Sequence, residues 1–207
     1  MSHPLLADLP KKQQQQLLND LNYLNTAEIK QFCKKHSIPY SIAIEIPGGG
    51  KKKTRDDDRK GVMLDRMRHF LKTGVALEET RFPAAVVCLD AFPKKLTPNH
   101  KLLYGQYSKN NRAMLSLLKL LTAGQFEDGA IARILARNYW TEGKAPTLEK
   151  FASAWLKAVQ AHTGPNPEWA FLSDRANKTA PPDWKRFRAD KASKVMRILN
   201  QIKPNKP

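Results

Sequence analysis

Basic residues crowd behind a glycine turn, and their types and spacing suit them to binding phosphate. The group follows the three glycines at 48–50 and consists of Lys51, Lys52, Lys53, Arg55, Arg59 and Lys60. Cations beside the first turn of a predicted helix bring charge and backbone amides to one place, which attracts phosphate. The alternative is a solvated charge run that the aspartates at 56–58 balance without a ligand. We predict contact with a nucleic acid, because the whole chain is basic.

Two further groups of basic residues extend this predicted contact. Arg66 and Arg68 belong to the helix that we predict after the aspartates, and we expect both on its outward side. Near the C-terminus, aromatic and basic residues interleave: Trp184, Lys185, Arg186, Phe187 and Arg188. This interleaving suits contact with phosphates and bases, and equally a helix that docks its aromatic side chains on the core. Contacts with phosphates position a protein without reading bases, so we expect little sequence specificity.

The charge of the chain favours a polyanionic partner. Its 207 residues include 36 Lys and Arg against 19 Asp and Glu, a formal net charge of +17, and the isoelectric point is about 10.0. Up to Gly74 the sequence holds 14 basic and 8 acidic residues, and beyond it 22 and 11, so the excess is not confined to one tail. The excess of basic over acidic residues is most pronounced in the segment from Arg175 onward. We expect DNA as the partner, with RNA possible.

No arrangement of residues indicates an enzyme. The string GGGKKKT does not fit a nucleotide-binding loop, since Glu45 stands at the first glycine position and Lys52 follows the lysine. Cys33 and His36 have ligand-like spacing, and His69 could lie near them, but scattered candidates do not make a zinc site. We therefore name no catalytic residue, metal or cofactor. A nuclease or modifying enzyme with a site assembled from distant positions stays open.

Cysteine usage and hydropathy favour the cytoplasm. Cys33 and Cys88 stand in apolar contexts, where we expect buried free thiols rather than a disulfide or a nucleophile. The N-terminus has no signal-peptide pattern, and no apolar stretch approaches roughly 18 residues. We expect a cytoplasmic protein without membrane contact, associated with the nucleoid in a bacterium or nuclear in a eukaryote.

The helical spacing of Leu17, Leu18, Leu21 and Leu24 predicts a first helical segment, and two short helices follow it in the N-terminal part. Asn25 and Glu28 form a capping box at the start of the first of these two helices, which ends at the Ile38-Pro39 step. The second begins with the aspartates at 56–58, which favour a helix N-terminus, and ends at Gly74. Between the helices, alternating isoleucines indicate a short edge strand or an extended loop.

Helical spacing dominates again after residue 98. Helices are predicted to end at Gly124, near Tyr139 and at Gly164, and a last one covers about 190–202. Residues 75–98, rich in proline, read as a linker with one buried extended piece, AAVVCL. Several aromatic residues of this region could stack on bases: Tyr104, Tyr107, Tyr139, Trp140 and Trp155. Trp155 shares the spacing of core residues, whereas Trp140 is more open to a surface role.

The N-terminal helix pair resembles a SAP domain, the small helix-extension-helix module that binds DNA in many chromatin and repair proteins. The resemblance lies in LNTAEIKQFCKKHSIP, where the family has LxxxELKxxxxxxGLP, and in RKGVMLDRM, where it has xKxxLxxRh. It places Lys60 and Arg66 on the family's lysine and arginine, which implies DNA binding by this helix pair. Two features depart from the family: His36 and Ser37 replace the glycine that closes the first helix, and residues 40–55 replace a connector of only a few residues.

These observations predict a mainly α-helical protein in two parts. Residues 1–74 form the SAP-like helix pair with an enlarged connector, 75–98 form a linker, and 99–207 form a helical domain of unknown function. The predicted function is DNA binding through the phosphate backbone, with the second domain as an accessory or partner-binding module. An RNA-binding protein and a protein-interaction adaptor stay open as alternatives.

Overall fold

The computed structural model describes residues 6–7, 9–46, 48–91, 93, 95–161 and 183–202. In this part of the chain the helices and strands follow in this order: α1 (Lys11–Asp20), α2 (Thr26–Lys35), β1 (Ser41–Glu45), β2 (Lys51–Asp57), α3 (Lys60–Thr73), β3 (Arg81–Phe82), α4 (Arg112–Leu121), α5 (Ala130–Thr141), α6 (Leu148–Ala161) and α7 (Trp184–Gln201). Short 3₁₀ turns cover Leu21–Tyr23 and Ala84–Val86. The predicted helix end at Gly164 and the basic segment from Arg175 to residue 182 lie outside the described residues.

A small sheet makes the predicted fold class wrong. The three strands pair in the order β2-β1-β3, so the fold is mixed rather than mainly α-helical. β1 runs parallel to β3, with Ala43 opposite Arg81 and Ile44 opposite Phe82, and a tight turn joins it to β2. The alternating isoleucines had indicated an edge strand or an extended loop here, whereas β1 is the central strand. Lysine and aspartate are uncommon in strands, so β2 was concealed, and its pairing with β1 overrides that preference.

The chain divides into two compact units, each assembled from separate segments. The first unit comprises Met1–Ser41, Asp56–Glu79 and Gly164–Pro207, and the second comprises Ile42–Arg55 and Thr80–Thr163. This division differs from the predicted one in three places. The predicted linker at 75–98 is divided between the two units after Glu79. The connector residues belong to the second unit, and α7 belongs to the first.

The first unit is a group of helices around one apolar core. Its core residues come from α1, the turn after it, α2, α3 and α7: Leu17, Leu21, Leu24, Ile29, Phe32, Met63, Met67, Leu71, Val195 and Leu199. The capping box is present, since the Asn25 side chain accepts the Glu28 amide at 2.9 Å and the Asn25 amide donates to Glu28 at 2.6 Å. This confirms the predicted start of α2. The predicted end of α3 at Gly74 is also confirmed by its left-handed φ of 73°.

Ser37 closes α2 in the conformation that a glycine would normally take. Its φ is 54°, and the Ile38 amide donates to the Cys33 carbonyl at 2.8 Å. The Ser37 amide reaches the Lys34 carbonyl at 3.4 Å, which completes the hydrogen-bond pair of a Schellman motif. The extended Ile38-Pro39 step follows, as predicted. Serine therefore replaces glycine here without loss of the helix-closing geometry.

The second unit packs the sheet and α4, α5 and α6 around a separate core. Its buried residues include Ile42, Ile44, Phe82, Val86, Leu102, Met114, Leu118, Phe126, Phe151 and Trp155. Core packing of Trp155 is thus confirmed. The surface role considered for Trp140 is wrong, because this side chain is 4% exposed and its indole N–H donates to the Leu102 carbonyl at 2.9 Å. The predicted extended piece at 84–89 instead begins as a 3₁₀ turn, and Val87 then bridges to Tyr104.

Candidate nucleic-acid interface

A glycine turn joins β1 to β2 and projects into solvent. The Ile46 amide donates to the Gly50 carbonyl at 3.1 Å, and the Gly49 amide donates back to Ile46 at 3.0 Å. Gly48, Gly49 and Gly50 have φ values of 90°, 110° and 96°, which only glycine adopts readily. A Cβ atom built at any of the three meets no described atom within 4 Å. The backbone of this turn is therefore open to a close approach by another molecule.

The predicted basic cluster stands on β2, an edge strand of the sheet. Lys51, Lys52, Lys53 and Arg55 are exposed. Thr54 is half-buried among them, and its hydroxyl donates to the Ile42 carbonyl of β1 at 2.8 Å. The cluster was expected on a glycine-rich loop that leads into a helix, but it lies on a strand that hydrogen bonds fix to its neighbour. We call Lys51, Lys52, Lys53 and Arg55 the basic strand.

The geometry of a strand sets how the basic strand presents its charges. Successive side chains point to opposite faces, so Lys51, Lys53 and Arg55 share one face and Lys52 occupies the other. Neighbours on one face stand roughly 6.6 Å apart, twice the rise per residue. Within the described part of the chain, no hydrogen bond or ion pair engages the side chains of Lys52, Lys53 and Arg55. Lys52, Lys53 and Arg55 therefore offer solvated cations, and Lys51 adds an exposed charge at the start of the row.

The aspartates after the basic strand were predicted to begin a helix, but they do not. Asp57 ends β2, and α3 begins only at Lys60. The carboxylate of Asp57 pairs with Lys30, and that of Asp58 pairs with Arg66. Two of the three aspartates thus neutralise cations outside the basic strand.

Arg66 is buried, so the prediction that it points outward is wrong. Its residue is 5% exposed, and its guanidinium pairs with Asp58 and donates to the Pro39 carbonyl at 3.0 Å. Arg66 lies three residues after Met63 and four before Phe70, both of which are core residues of α3. That spacing was the available sign of an inward position. Arg66 holds the extended step after α2 to α3, and we leave it out of the interface.

Two other predicted residues, Lys60 and Arg68, hold parts of the first unit together. Arg59 is the half-buried N-cap residue of α3. Lys60 donates to the Asn22 carbonyl at 2.6 Å, and Arg68 donates to the Asn22 side chain at 2.9 Å and to Asp65 at 2.8 Å. Lys60 and Arg68 thus attach the turn after α1 to α3.

Of the three C-terminal basic residues, two are exposed and the third is held by contacts with the first unit. Lys185 and Arg186 are exposed on the first turn of α7. Arg188 instead donates to the Tyr23 carbonyl at 2.8 Å and pairs with Glu28. Trp184 and Phe187 pack against the Tyr23 ring, with centroids 6.0 and 5.7 Å away. The two aromatic side chains thus pack on Tyr23 rather than on the apolar core, to which none of the three belongs.

The residues with metal-ligand spacing are part of the core. Cys33 is fully buried, and burial raises the pKa of its thiol to about 12, so the thiol stays protonated at neutral pH. His36 stacks on Phe32 with ring centroids 4.3 Å apart. Burial, with Lys35 nearby, lowers the pKa of the His36 imidazole. Among the described residues, no three or more potential ligands gather into a metal site. Cys88, predicted to be buried, is only half-buried and accepts a hydrogen bond from Gln106 at 3.1 Å.

Comparisons with known proteins give no relative for this chain. No family model, no curated protein and no solved structure matches it. In the described ranges, no helix has the length and apolar character needed to cross a bilayer.

Proposed function

We propose that this protein binds DNA through phosphate contacts, with little sequence specificity, and that the basic strand is the main contact. The observation that carries the proposal is the row of exposed cations on β2 beside a projecting glycine turn. The net charge of +17 supplies the long-range attraction that brings a polyanion to this row.

The structure of the hairpin favours phosphate as the ligand. Because Thr54 fixes β2 to β1, the backbone under the cations is ordered before binding, and less conformational entropy is lost on association. The glycines at 48–50 carry no side chains, so a phosphate can approach their backbone closely. The contact is therefore built for a backbone rather than for particular bases.

In this proposal the first unit contributes a second, weaker contact. The order of α2, the extended Ile38-Pro39 step and α3 supports the SAP-like reading, in which Lys60 corresponds to the lysine of the family. Lys185 and Arg186 add exposed charge on the same unit. Helices α4 to α6 serve as an accessory or partner-binding module. Binding to cellular DNA would place the protein in the cytoplasm, at the nucleoid in a bacterium, or in the nucleus in a eukaryote.

Lysines on an edge strand have another possible purpose, which the proposal must be tested against. Charged side chains on an exposed edge prevent it from pairing with the edge of another molecule. If this were their purpose, removing the charges would cause self-association and leave the affinity for DNA unchanged. The two explanations therefore predict different results for the same variant.

The test compares two variants that lose the same charge from the same unit. In the first, all four residues of the basic strand are replaced by glutamine. In the control, four exposed lysines of the second unit outside the hairpin are replaced: Lys109, Lys119, Lys150 and Lys157. Affinity for a random duplex is measured over a range of salt concentrations, and oligomeric state is followed by light scattering.

We expect the basic-strand variant to lose affinity and salt dependence together. Each phosphate contact adds about 0.9 to the slope of log K against log salt, so loss of four contacts lowers the slope by about 3 to 4. The control should change the slope much less. Equal losses in both variants would mean that net charge alone attracts DNA, and would refute the role of the basic strand. Competition with single strands and RNA then distinguishes DNA binding from RNA binding, while binding without salt dependence would indicate a protein adaptor.

A further inference from the structure

The first unit contains a cleft that the basic strand does not explain. Its volume is about 320 Å³, and it lies between the turn after α1, the start of α2 and the starts of α3 and α7. The residues that matter for its chemistry are Tyr23, Asn25, Thr26, Lys60, Trp184 and Arg188. Small-molecule sites have volumes from about 300 Å³ upward. The cleft is thus large enough for one nucleotide-sized group.

One wall of the cleft is aromatic. The half-buried Trp184 lies against Tyr23, with the two rings inclined at 45°, and Phe187 packs edge-on against Tyr23 from outside the cleft. These contacts limit the movement of the indole, which lines the cleft without being enclosed. A planar ring can stack on such a surface whatever its hydrogen-bonding groups are.

The cleft is also lined by two cationic residues, Lys60 and Arg188, and both are held in place. Lys60 is tied to the Asn22 carbonyl and Arg188 to the Tyr23 carbonyl, so both head groups have fixed positions at the rim. Glu28 pairs with Arg188 and offsets one charge, which leaves the cleft moderately rather than strongly positive. Thr26 also lines the cleft, and its amide, in the first turn of α2, has no acceptor within the helix.

We infer that this cleft binds a single unpaired nucleotide of a nucleic-acid strand. The base stacks on Trp184, and its phosphate lies beside Lys60 and Arg188. The inference rests on the proposed nucleic-acid binding and extends it, because it predicts a preference for single strands or for duplexes with a displaced base. A stacked base inside a regular duplex has no free face to offer to an indole. In this inference the basic strand binds phosphates of the nucleic-acid backbone, and the cleft binds only a nucleotide whose base is unpaired.

The test uses thymidine monophosphate, a short oligothymidylate and a duplex of equal length as probes of the full-length protein. The indole N–H signal of Trp184 is identified by its loss in Trp184→Phe, since the chain has four tryptophans. We expect thymidine monophosphate and the oligothymidylate to shift this signal. Inorganic phosphate alone serves as the comparison, and an equal shift with phosphate would show a simple anion site and refute the inference.

Substitutions at α7 provide the matched variants. Trp184→Leu removes the stacking surface and should lower affinity for the oligothymidylate about tenfold. Trp184→Phe retains a flat ring and should keep most of the affinity. Phe187→Leu is the comparison for loss of a ring outside the cleft. Because Phe187 packs on Tyr23 and Trp184 but does not line the cleft, this variant should lower the affinity less than Trp184→Leu does. Thermal unfolding of each variant shows whether the first unit is intact.

The outcomes separate this inference from the proposed function. If Trp184→Leu is folded and binds the oligothymidylate like the unmodified protein, the inference is wrong, while salt-dependent duplex binding by the basic strand would stand. If Trp184→Leu does not fold, the signal shift and the affinity of Trp184→Phe decide instead. If no nucleic acid binds at low salt, the proposed function fails, and binding of thymidine monophosphate still shows whether the cleft accepts a nucleotide.

Discussion

Arg66 and Asp58 form an ion pair in the interior of the first unit, with 6% and 4% of their side chains exposed. Arg66 also donates to the Pro39 carbonyl. Its side chain therefore connects α3 to Pro39 and Asp58, which lie in the first unit shortly before and shortly after the segment Ile42–Arg55 of the second unit. The arginine that resembles a DNA-binding residue in the sequence therefore serves stability in the structure.

Replacing Arg66 by methionine should lower the free energy of unfolding by about 3 to 5 kcal/mol, because the carboxylate of Asp58 stays buried without its guanidinium. Urea denaturation measures the change. Arg68→Met is the control, since Arg68 is partly exposed and its pair with the exposed Asp65 should contribute less than about 1 kcal/mol. Adding Asp58→Leu to Arg66→Met should restore part of the stability. Similar effects at Arg66 and Arg68 would contradict the buried pair.

Ser37→Gly should stabilise the protein by about 0.5 to 1 kcal/mol. A residue other than glycine pays roughly 1 to 2 kcal/mol in the left-handed region, and the greater freedom of glycine in the unfolded chain offsets part of the gain. Ser37→Val should act in the opposite direction, because a β-branched side chain fits a φ of 54° poorly. Thermal unfolding of both variants tests the sign. A loss of stability in Ser37→Gly would exclude strain at this residue.

Stability should fall as the pH drops below about 6.5, the ordinary pKa of histidine, partly because of His36. Its residue is 7% exposed, and neither ring nitrogen has a hydrogen-bond partner among the described residues. Burial lowers the pKa of His36 in the folded protein, so the unfolded chain binds more protons in this range and is favoured by acid. His36→Leu should remove that part of the pH dependence. The free energy of unfolding is measured by urea denaturation at about pH 7.5 and 5.5. If it falls by the same amount in His36→Leu as in the unmodified protein, His36 is not a source of the pH dependence.

Gly105→Ala should destabilise the second unit by about 2 kcal/mol or more. The φ of Gly105 is 92°, and a Cβ atom there would lie 2.2 Å from the Cys88 carbonyl oxygen, which belongs to the backbone and cannot move aside easily. Gly129→Ala is the control, because an added Cβ at Gly129 meets no described atom within 4 Å. Thermal unfolding should show a large shift for the first variant and a small one for the second. Equal shifts would contradict the close approach.

Local signals in the sequence predicted the features that depend on local interactions. Asn25 and Glu28 identified the start of α2, Gly74 the end of α3, and the spacing of Trp155 its place in the core. Each depends on neighbours within a few residues along the chain. β2 was concealed because its partner β1 is what makes a lysine-rich segment a strand. The preference of single residues could not show that pairing.

The candidate sites show the same division. The basic strand was recognised from composition, although not as a strand. The cleft brings together Tyr23, Lys60 and Trp184, which are far apart in sequence, so only the tertiary fold reveals it. Arg66 was placed on the wrong side because its resemblance to a binding residue outweighed its helical spacing from Met63 and Phe70.

Because the segments of the two units alternate along the chain, they limit which fragments can fold and in what order the units fold during synthesis. A fragment that ends at residue 74 would hold β1 and β2 without β3, and α1 to α3 without Val195 and Leu199 of α7. During synthesis the first unit cannot complete its core until the C-terminal helix has left the ribosome. The apolar sides of α1 to α3 that pack on α7 therefore stay exposed while the second unit is translated.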